Sequence, residues 1–159
     1  YLVGKTKGHL ELSVFNQING IDEGEPPVIN LDEELKNGLF IKKLIRKTKN
    51  VIGCHDLSEG GIALAISELC ITNNMGVEVE IPKEFSKIPE KWLFGEDQSR
   101  YLLIIKNEEE INTFAKKMNI TIRKIGKVSG NSLNFLNYFE ISVKKLIKLN
   151  NKWFKDYLK

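Results

Sequence analysis

The sequence predicts an α+β fold, a mixed sheet with helices mainly on one face. Three observations carry this. Short β-branched or alternating stretches recur at 51–54, 76–81, 101–106 and 120–128. Helical stripes alternate with them, and they read onto one face of the sheet, which favours an α+β sandwich over a doubly wound parallel sheet. The length, 159 residues with 42% hydrophobic content, is enough for one domain with a real core.

Taken in order, Tyr1-Leu2-Val3 reads as the end of a strand. Residues 4–28 lack periodicity and are punctuated by Gly4, Gly8, Gly20, Gly24 and Pro26-Pro27, with one short helical stretch at 13–18. So long an irregular lead-in is uncommon inside a compact domain. Residues 1–28 are therefore expected to be a linker and residues 29–159 the domain, with the chain a piece of a longer polypeptide. The first long helix starts near Asn30, where Asn30 and Glu33 match a capping box, and carries a stripe of Leu35, Leu39, Ile41, Leu44 and Ile45. A strand at 51–54 leads through a turn to a helix at 59–73 that is apolar nearly all round and so buried between layers.

Residues 76–81 alternate as a strand, and 82–91 form a polar loop or short helix before the anchor Trp92-Leu93-Phe94. A strand at 101–106 precedes a helix at 108–118, with acids in its first turn and Lys116-Lys117 in its last. Residues 120–128 read as one strand, 129–131 as a turn and 133–135 as another strand, and an amphipathic helix closes the chain from Ile141.

The net charge of +3 comes from 24 basic and 21 acidic residues spread through the chain. Basic clusters such as Lys42-Lys43 and Lys144-Lys145 lie on solvated helix faces, without the interleaved aromatics of a nucleic-acid platform. Neither a membrane-spanning run nor a signal-peptide pattern is present. Cys54 and Cys70 lack CxxC partners and read as small buried side chains in a reducing compartment.

The most informative stretch is Cys54-His55-Asp56-Leu57-Ser58-Glu59-Gly60-Gly61, a strand end, a tight turn and a helix N-terminus. Unpaired N–H groups and the helix dipole suit phosphate or carboxylate there, and Gly60 and Gly61 let an anion approach the backbone. Asp56 suits Mg²⁺, a hard cation; equally, Asp56 or Ser58 could simply cap the helix while His55 bonds a neighbouring loop. His9 is the only other histidine, and no metal-ligand spacing appears. Ser58 lacks a nucleophile elbow, and Cys54 and His55 point to opposite faces of a strand. The second cluster, Glu96-Asp97-Gln98-Ser99-Arg100, follows an aromatic anchor and precedes a strand; it suits either amide or ribose recognition or a surface ion pair and turn.

The order of motifs carries a resemblance. Gly4-Lys5-Thr6-Lys7-Gly8-His9-Leu10, Glu25-Pro26-Pro27-Val28, the 55–61 motif, Leu93-Phe94-Gly95-Glu96-Asp97-Gln98-Ser99-Arg100-Tyr101 and the tail from Ile141-Ser142-Val143 to Trp153 follow one another. This succession resembles the carboxyl-terminal part of the phosphoribosylformylglycinamidine synthase family, synthetase subunit, in the aminoimidazole ribonucleotide synthetase superfamily. The resemblance implies a C-terminal α/β domain following an ATP-binding domain in a cytoplasmic ATP-dependent carbon–nitrogen ligase.

The implied reaction converts formylglycinamide ribonucleotide, ATP and ammonia to formylglycinamidine ribonucleotide, ADP and phosphate, with ATP and Mg²⁺ held mainly outside this chain. It implies as partners the preceding domains, a glutaminase subunit and a small accessory subunit, with neither nucleic acid nor membrane. By pseudo-symmetry with the family's other half, His55, Asp56, Ser58, Gly60, Gly61, Glu96, Asp97, Gln98 and Arg100 would line a second, non-catalytic substrate or phosphate site or a domain interface, with Asp56 a metal ligand, and the domain by itself would be inactive; the alternative is a purely structural domain that buttresses its neighbours. Two features depart from the family pattern. Glu11-Leu12 stand where two glycines usually precede the serine matched by Ser13, which argues against close ligand approach there, and Glu59 replaces the commoner Asp.

Overall fold

The computed structural model describes residues 1–158, without the side chains of residues 154–156. Its elements run β1 (Leu2–Val3), α1 (Val14–Ile18), α2 (Leu31–Lys47), β2 (Val51–Asp56), α3 (Gly61–Asn73), β3 (Val77–Val79), a 3-10 turn (Lys83–Phe85) and α4 (Pro89–Phe94). There follow β4 (Tyr101–Ile105), α5 (Glu108–Lys117), β5 (Ile122–Arg123), β6 (Gly126–Val128), β7 (Ser132–Phe135), β8 (Phe139–Ser142) and α6 (Val143–Tyr157).

Two four-stranded sheets form, β2-β4-β1-β5, antiparallel throughout, and β6-β3-β7-β8, mixed through the parallel pair β3/β7. Side chains alternate across the first sheet and so feed two cores. Val3 and Leu103 meet α2 and α5 through Phe40, Leu44 and Ile111. Leu2 and Leu102 turn the other way, to α3 and the second sheet, through Ile62, Ile66, Val79, Leu133 and Phe135. The α+β class expected from the sequence is the class found.

Local signals explain most element ends. The Asn30 side chain accepts from the Asp32 and Glu33 amides at 3.1 Å each, and Asn107 does the same for α5 with the Glu109 and Glu110 amides. The Ser13 hydroxyl accepts from the Asn16 amide and starts α1.

Four expectations are corrected. The buried face of α2 is Asn37, Phe40, Ile41 and Leu44, whereas Leu35 is 64% exposed and Leu39 and Ile45 also face out. Both stripes have helical spacing, and the sheet residues Val3 and Leu103 select the one that carries Phe40. Helix α3 begins at Gly61, and its N-cap is Gly60 in the left-handed region with no side-chain cap, so Ser58 does not cap it. Residues 120–128 divide at Lys124-Ile125, where the chain leaves one sheet for the other and Ile125 turns into the core. A strand, β8, precedes α6, because Phe139 to Ser142 pair with β7 before the helix starts.

The segment expected to be a linker begins inside the sheet. Strand β1 lies between β4 and β5, and Gly4 N–H donates to the Thr121 carbonyl at 2.9 Å. Further along, Glu25 N–H donates to the Glu11 carboxylate and His9 Nε2 lies 2.8 Å from the Glu25 carbonyl oxygen, folding 9–25 back on itself.

Candidate functional site

Helix α4 delivers the chain into 95–100 by burying Trp92 and Leu93, and β4 takes it out again. Between these anchors the polar side chains turn inward. Arg100 is 1% exposed, and its guanidinium donates to the carbonyls of Asp97 at 2.9 Å and Gly95 at 2.6 Å and to Thr6 Oγ1 at 3.1 Å. Burial pulls Arg100 down to about 10, against the opposing pull of the Asp97 and Glu96 carboxylates, so it stays cationic at neutral pH. Asp97 Oδ2 lies 3.9 Å from Arg100 and accepts from the Lys7 and Gly8 amides at 2.9 Å each.

Glu96 Oε1 accepts from the Val14 amide at 2.9 Å and the Gly60 amide at 2.8 Å. One carboxylate thus satisfies the starts of α1 and α3 at once, where a negative charge also complements the helix dipole. The sequence left the amides of loop 57–61 open to a ligand, but the Gly60 amide is already occupied by the chain's own Glu96 carboxylate.

The rest of that loop is equally self-contained. Leu57 N–H donates to the Arg100 carbonyl and Gly61 N–H to the Ser58 carbonyl. A β-carbon at Gly61 would lie 2.7 Å from the Gly95 carbonyl oxygen, so this glycine lets α3 pack against the end of α4.

His55 and Asp56 part company. His55 pairs with Leu102 and Asp56 with Tyr101, so they project from opposite faces of β2. His55 Nε2 lies 3.2 Å from Glu68 on α3. Asp56 shares the other face with Cys54 and Tyr101, whose hydroxyl burial raises, helped by Glu34, Asp56 and Cys54. Cys70 is buried as expected, which pushes its thiol up to about 11, whereas Cys54, expected to be buried, is exposed; partial desolvation and Asp56 still raise its thiol, so neither is a poised thiolate.

Asp97, Gln98 and Ser99 border a cleft of about 410 Å³. Its lining brings Lys5, Lys7 and Lys91 together with Glu11, Glu33 and Asp97, and with Gly8, Gln98 and Ser99. Of the nine site residues expected from the sequence, Asp97 and Gln98 line this cleft.

The sequence of residues 2–136 matches the AIR synthase related protein, C-terminal domain. This chain belongs to that family. The domain is 34% identical over 160 residues to the phosphoribosylformylglycinamidine synthase subunit PurL of Rhodopseudomonas palustris strain BisB18, a match that covers 99% of this chain and 22% of the relative. Phosphoribosylformylglycinamidine synthase II from Thermotoga maritima superposes with a TM-score of 0.70 at 20% identity, over 92% of this chain and 25% of that one. T. maritima PurL complexed with FGAR superposes at 0.65 and 23% identity, over 76% and 22%. The AIR synthase C-terminal domain described here therefore spans about a fifth of the length of the curated relatives it matches.

Within this AIR synthase C-terminal domain, no three His, Cys, Asp or Glu side chains gather as a metal cluster among the described residues. Asp56 is a single carboxylate at a strand end. Mg²⁺ is commonly held by one or two carboxylates together with substrate phosphates, so Asp56 fits as one contributor to a shared site. No described helix is long and apolar enough to cross a membrane.

Sequence reasoning passed over Lys5, Lys7 and Lys91, although the first two stand in the Gly4–Gly8 motif. It also passed over Asn37, whose amide donates to the Ser99 carbonyl at 2.8 Å. Ser99 itself is strained. Its φ is 62°, a left-handed value rare outside glycine, and its buried hydroxyl has no partner. Ser99→Gly is expected to raise unfolding stability by about 1 kcal/mol, relief of strain and of the orphan hydroxyl outweighing the added chain entropy. A lower urea midpoint for this variant would refute that account.

Proposed function

We propose that this domain is the C-terminal part of an ATP-dependent carbon–nitrogen ligase that converts formylglycinamide ribonucleotide, ATP and glutamine-derived ammonia to formylglycinamidine ribonucleotide, ADP and phosphate. The observation that carries this is the 34% identity to a PurL subunit along nearly the whole chain, including α6, which lies beyond the family match. In the reaction, the amide oxygen of the substrate is phosphorylated by ATP and ammonia then displaces phosphate. The enzyme works in the cytoplasm. Preceding domains provide the ATP site, and a glutaminase subunit with a small accessory subunit delivers ammonia.

Within this scheme the domain's residues divide by what they touch. Glu96, Asp97, Arg100, Gly60 and Gly61 hold the loops in place, as their internal hydrogen bonds and close packing support. Gln98, Asp56 and Ser58 are the exposed side chains left to meet ligand, while His55 is turned to Glu68 on α3. Mg²⁺ would neutralise nucleotide phosphate charge, with Asp56 as one ligand.

The test uses the longer polypeptide that contains this chain. Supplied with formylglycinamide ribonucleotide, ATP and ammonium, it should release ADP and phosphate in step with the amidine product. ATP turnover without amidine, or no turnover when the partner subunits are added, would overturn the assignment. Asp56→Asn is expected to weaken retention of Mg²⁺-nucleotide by about tenfold with little change in melting temperature.

A further inference from the structure

We propose that this domain associates head to tail with a second copy of itself, the exposed apolar stripe of α6 on one copy docking against the exposed apolar stripe that opens α2 on the next.

The domain covers only the beginning of the apolar side of α6. Val143 is buried, and Leu146 and Ile147 pack on the core that holds α3. Beyond them Leu149, Trp153 and Tyr157 recur at every fourth residue along one face and are exposed, Trp153 at 68% and Tyr157 at 76%. The Trp153 and Tyr157 rings stack with their centres 5.8 Å apart. Large aromatic side chains of this kind are the residues that most often anchor an interface. Helical spacing sets Lys145, Lys148 and Lys152 along the flank of the stripe, and residues 143–153 contain no acid.

The start of α2 carries the converse pattern. Leu31 and Leu35, one turn apart, are both exposed, Leu31 at 76%, and so are Val28 and Ile29 just ahead of them. Helical spacing sets Asp32 on one flank of the leucine pair and Glu34 on the other. Glu33 lines the cleft with Lys5, Lys7 and Lys91 and is spent there. Residues 8–35 contain seven carboxylates and neither lysine nor arginine. Asp32, Glu34, Lys145 and Lys148 have no ion-pair partner among the described residues.

Charge decides the pairing. Two α6 stripes laid together would set lysine rows against each other, and two α2 starts would do the same with carboxylates. An α6 stripe on an α2 start brings unlike charges together around two apolar rows.

One chain cannot make this contact with itself. Helix α2 packs on the face of the first sheet that carries Val3 and Leu103, and α6 lies on the side of Leu2 and Leu102, so the sheet stands between the two stripes. The contact is then heterologous: a joined pair still presents one uncovered α6 stripe and one uncovered α2 start, and growth continues unless the rotation closes a ring.

The experiment is sedimentation velocity on the longer polypeptide that contains this chain, without added subunits. Association is expected with a Kd of about 10 µM or below in about 0.05 M salt, weakened about tenfold in about 0.5 M salt as the flanking charges are screened. Leu149→Ser with Trp153→Ser should weaken it by about tenfold or more, and Leu31→Ser with Leu35→Ser should do the same, since each variant keeps only one of the two faces.

An equimolar mixture of the two variants should restore association as a one-to-one pair and nothing larger, because the intact α2 start of the first accepts the intact α6 of the second. All four side chains are exposed, so melting temperatures should match the parent. The charge reversals Lys145→Glu with Lys148→Glu, and Asp32→Lys with Glu34→Lys, repeat the mixing test without touching the apolar rows. A parent that stays monomeric at about 100 µM, undiminished association of either serine variant alone, or mixtures of both kinds that stay monomeric would overturn the proposal. Undiminished association of the α2 variant would mean a symmetric α6 pair instead. The measurement reads mass and not turnover, so its failure leaves the ligase assignment to its own assay.

Discussion

Glu96→Ala is expected to lower the unfolding free energy by about 3 kcal/mol, because one truncation strips the acceptor from two helix-start amides. The Val14 and Gly60 N–H groups both end on Glu96 Oε1, at 2.9 and 2.8 Å, and both bonds are only partly open to solvent. A charge-assisted bond contributes about 1.5–3 kcal/mol, and water can reach part of the vacated space, which keeps the sum well below twice the upper figure. Glu96→Gln keeps a carbonyl acceptor and loses the charge, so it should cost about 1 kcal/mol. Urea denaturation of the two variants measures the difference, and hydrogen exchange at Val14 and Gly60 locates it. If Glu96→Ala falls within about 0.5 kcal/mol of the parent, as ordinary surface substitutions do, the double cap does not exist in solution.

Arg100→Ala should be the more damaging change, at about 3–5 kcal/mol, the range for removing one partner of a buried charge network. The guanidinium fills the space between Thr6, Gly95 and Asp97, and its loss leaves two carbonyls without their donor. Arg100→Lys keeps the charge but cannot reproduce a fork spread over three acceptors, so it should recover less than half of the loss.

The Arg100–Asp97 side-chain separation, 3.9 Å, is too long for a hydrogen bond, and the carboxylate is held mainly by the Lys7 and Gly8 amides. A double-mutant cycle with Asp97→Asn should therefore give a coupling of only about 1 kcal/mol. A coupling as large as the Arg100→Ala loss would mean that the ion pair, and not the bonds to Gly95, Asp97 and Thr6, holds this segment.

The sequence revealed elements wherever the deciding interaction is local. Asn30 and Asn107 cap the helices that follow them, and Val77 and Val79 alternate against Glu78 as the strand β3 requires. It was silent where the deciding partner is distant. Leu35 and Phe40 both belong to stripes of helical period, and only the neighbouring sheet selects between them. Strand β8 was hidden by its exposed, weakly patterned sequence and exists because β7 lies beside it.

The same limit governs the candidate site. The motifs at 55–61 and 96–100 were visible, and so was their suitability for anions. That Glu96 would itself occupy the Gly60 amide, and that Asp97 would occupy the Gly8 amide across most of the chain, cannot be read from spacing. The lysines of the cleft were overlooked because their convergence depends on Thr6 turning inward and on Gly8 admitting Lys91.

The placement of β1 bears on how the domain is made. Leu2 pairs with Leu102 on one side and with Arg123 on the other, so the middle of the first sheet joins an early segment to two late ones. A ribosome releases β1 long before either neighbour exists, and one of its edges stays open until β4 has followed and the other until β5 has. Conditions that slow translation between residues 4 and 101 should then lengthen the interval in which a chaperone can hold this nascent chain, without altering the stability of the finished fold.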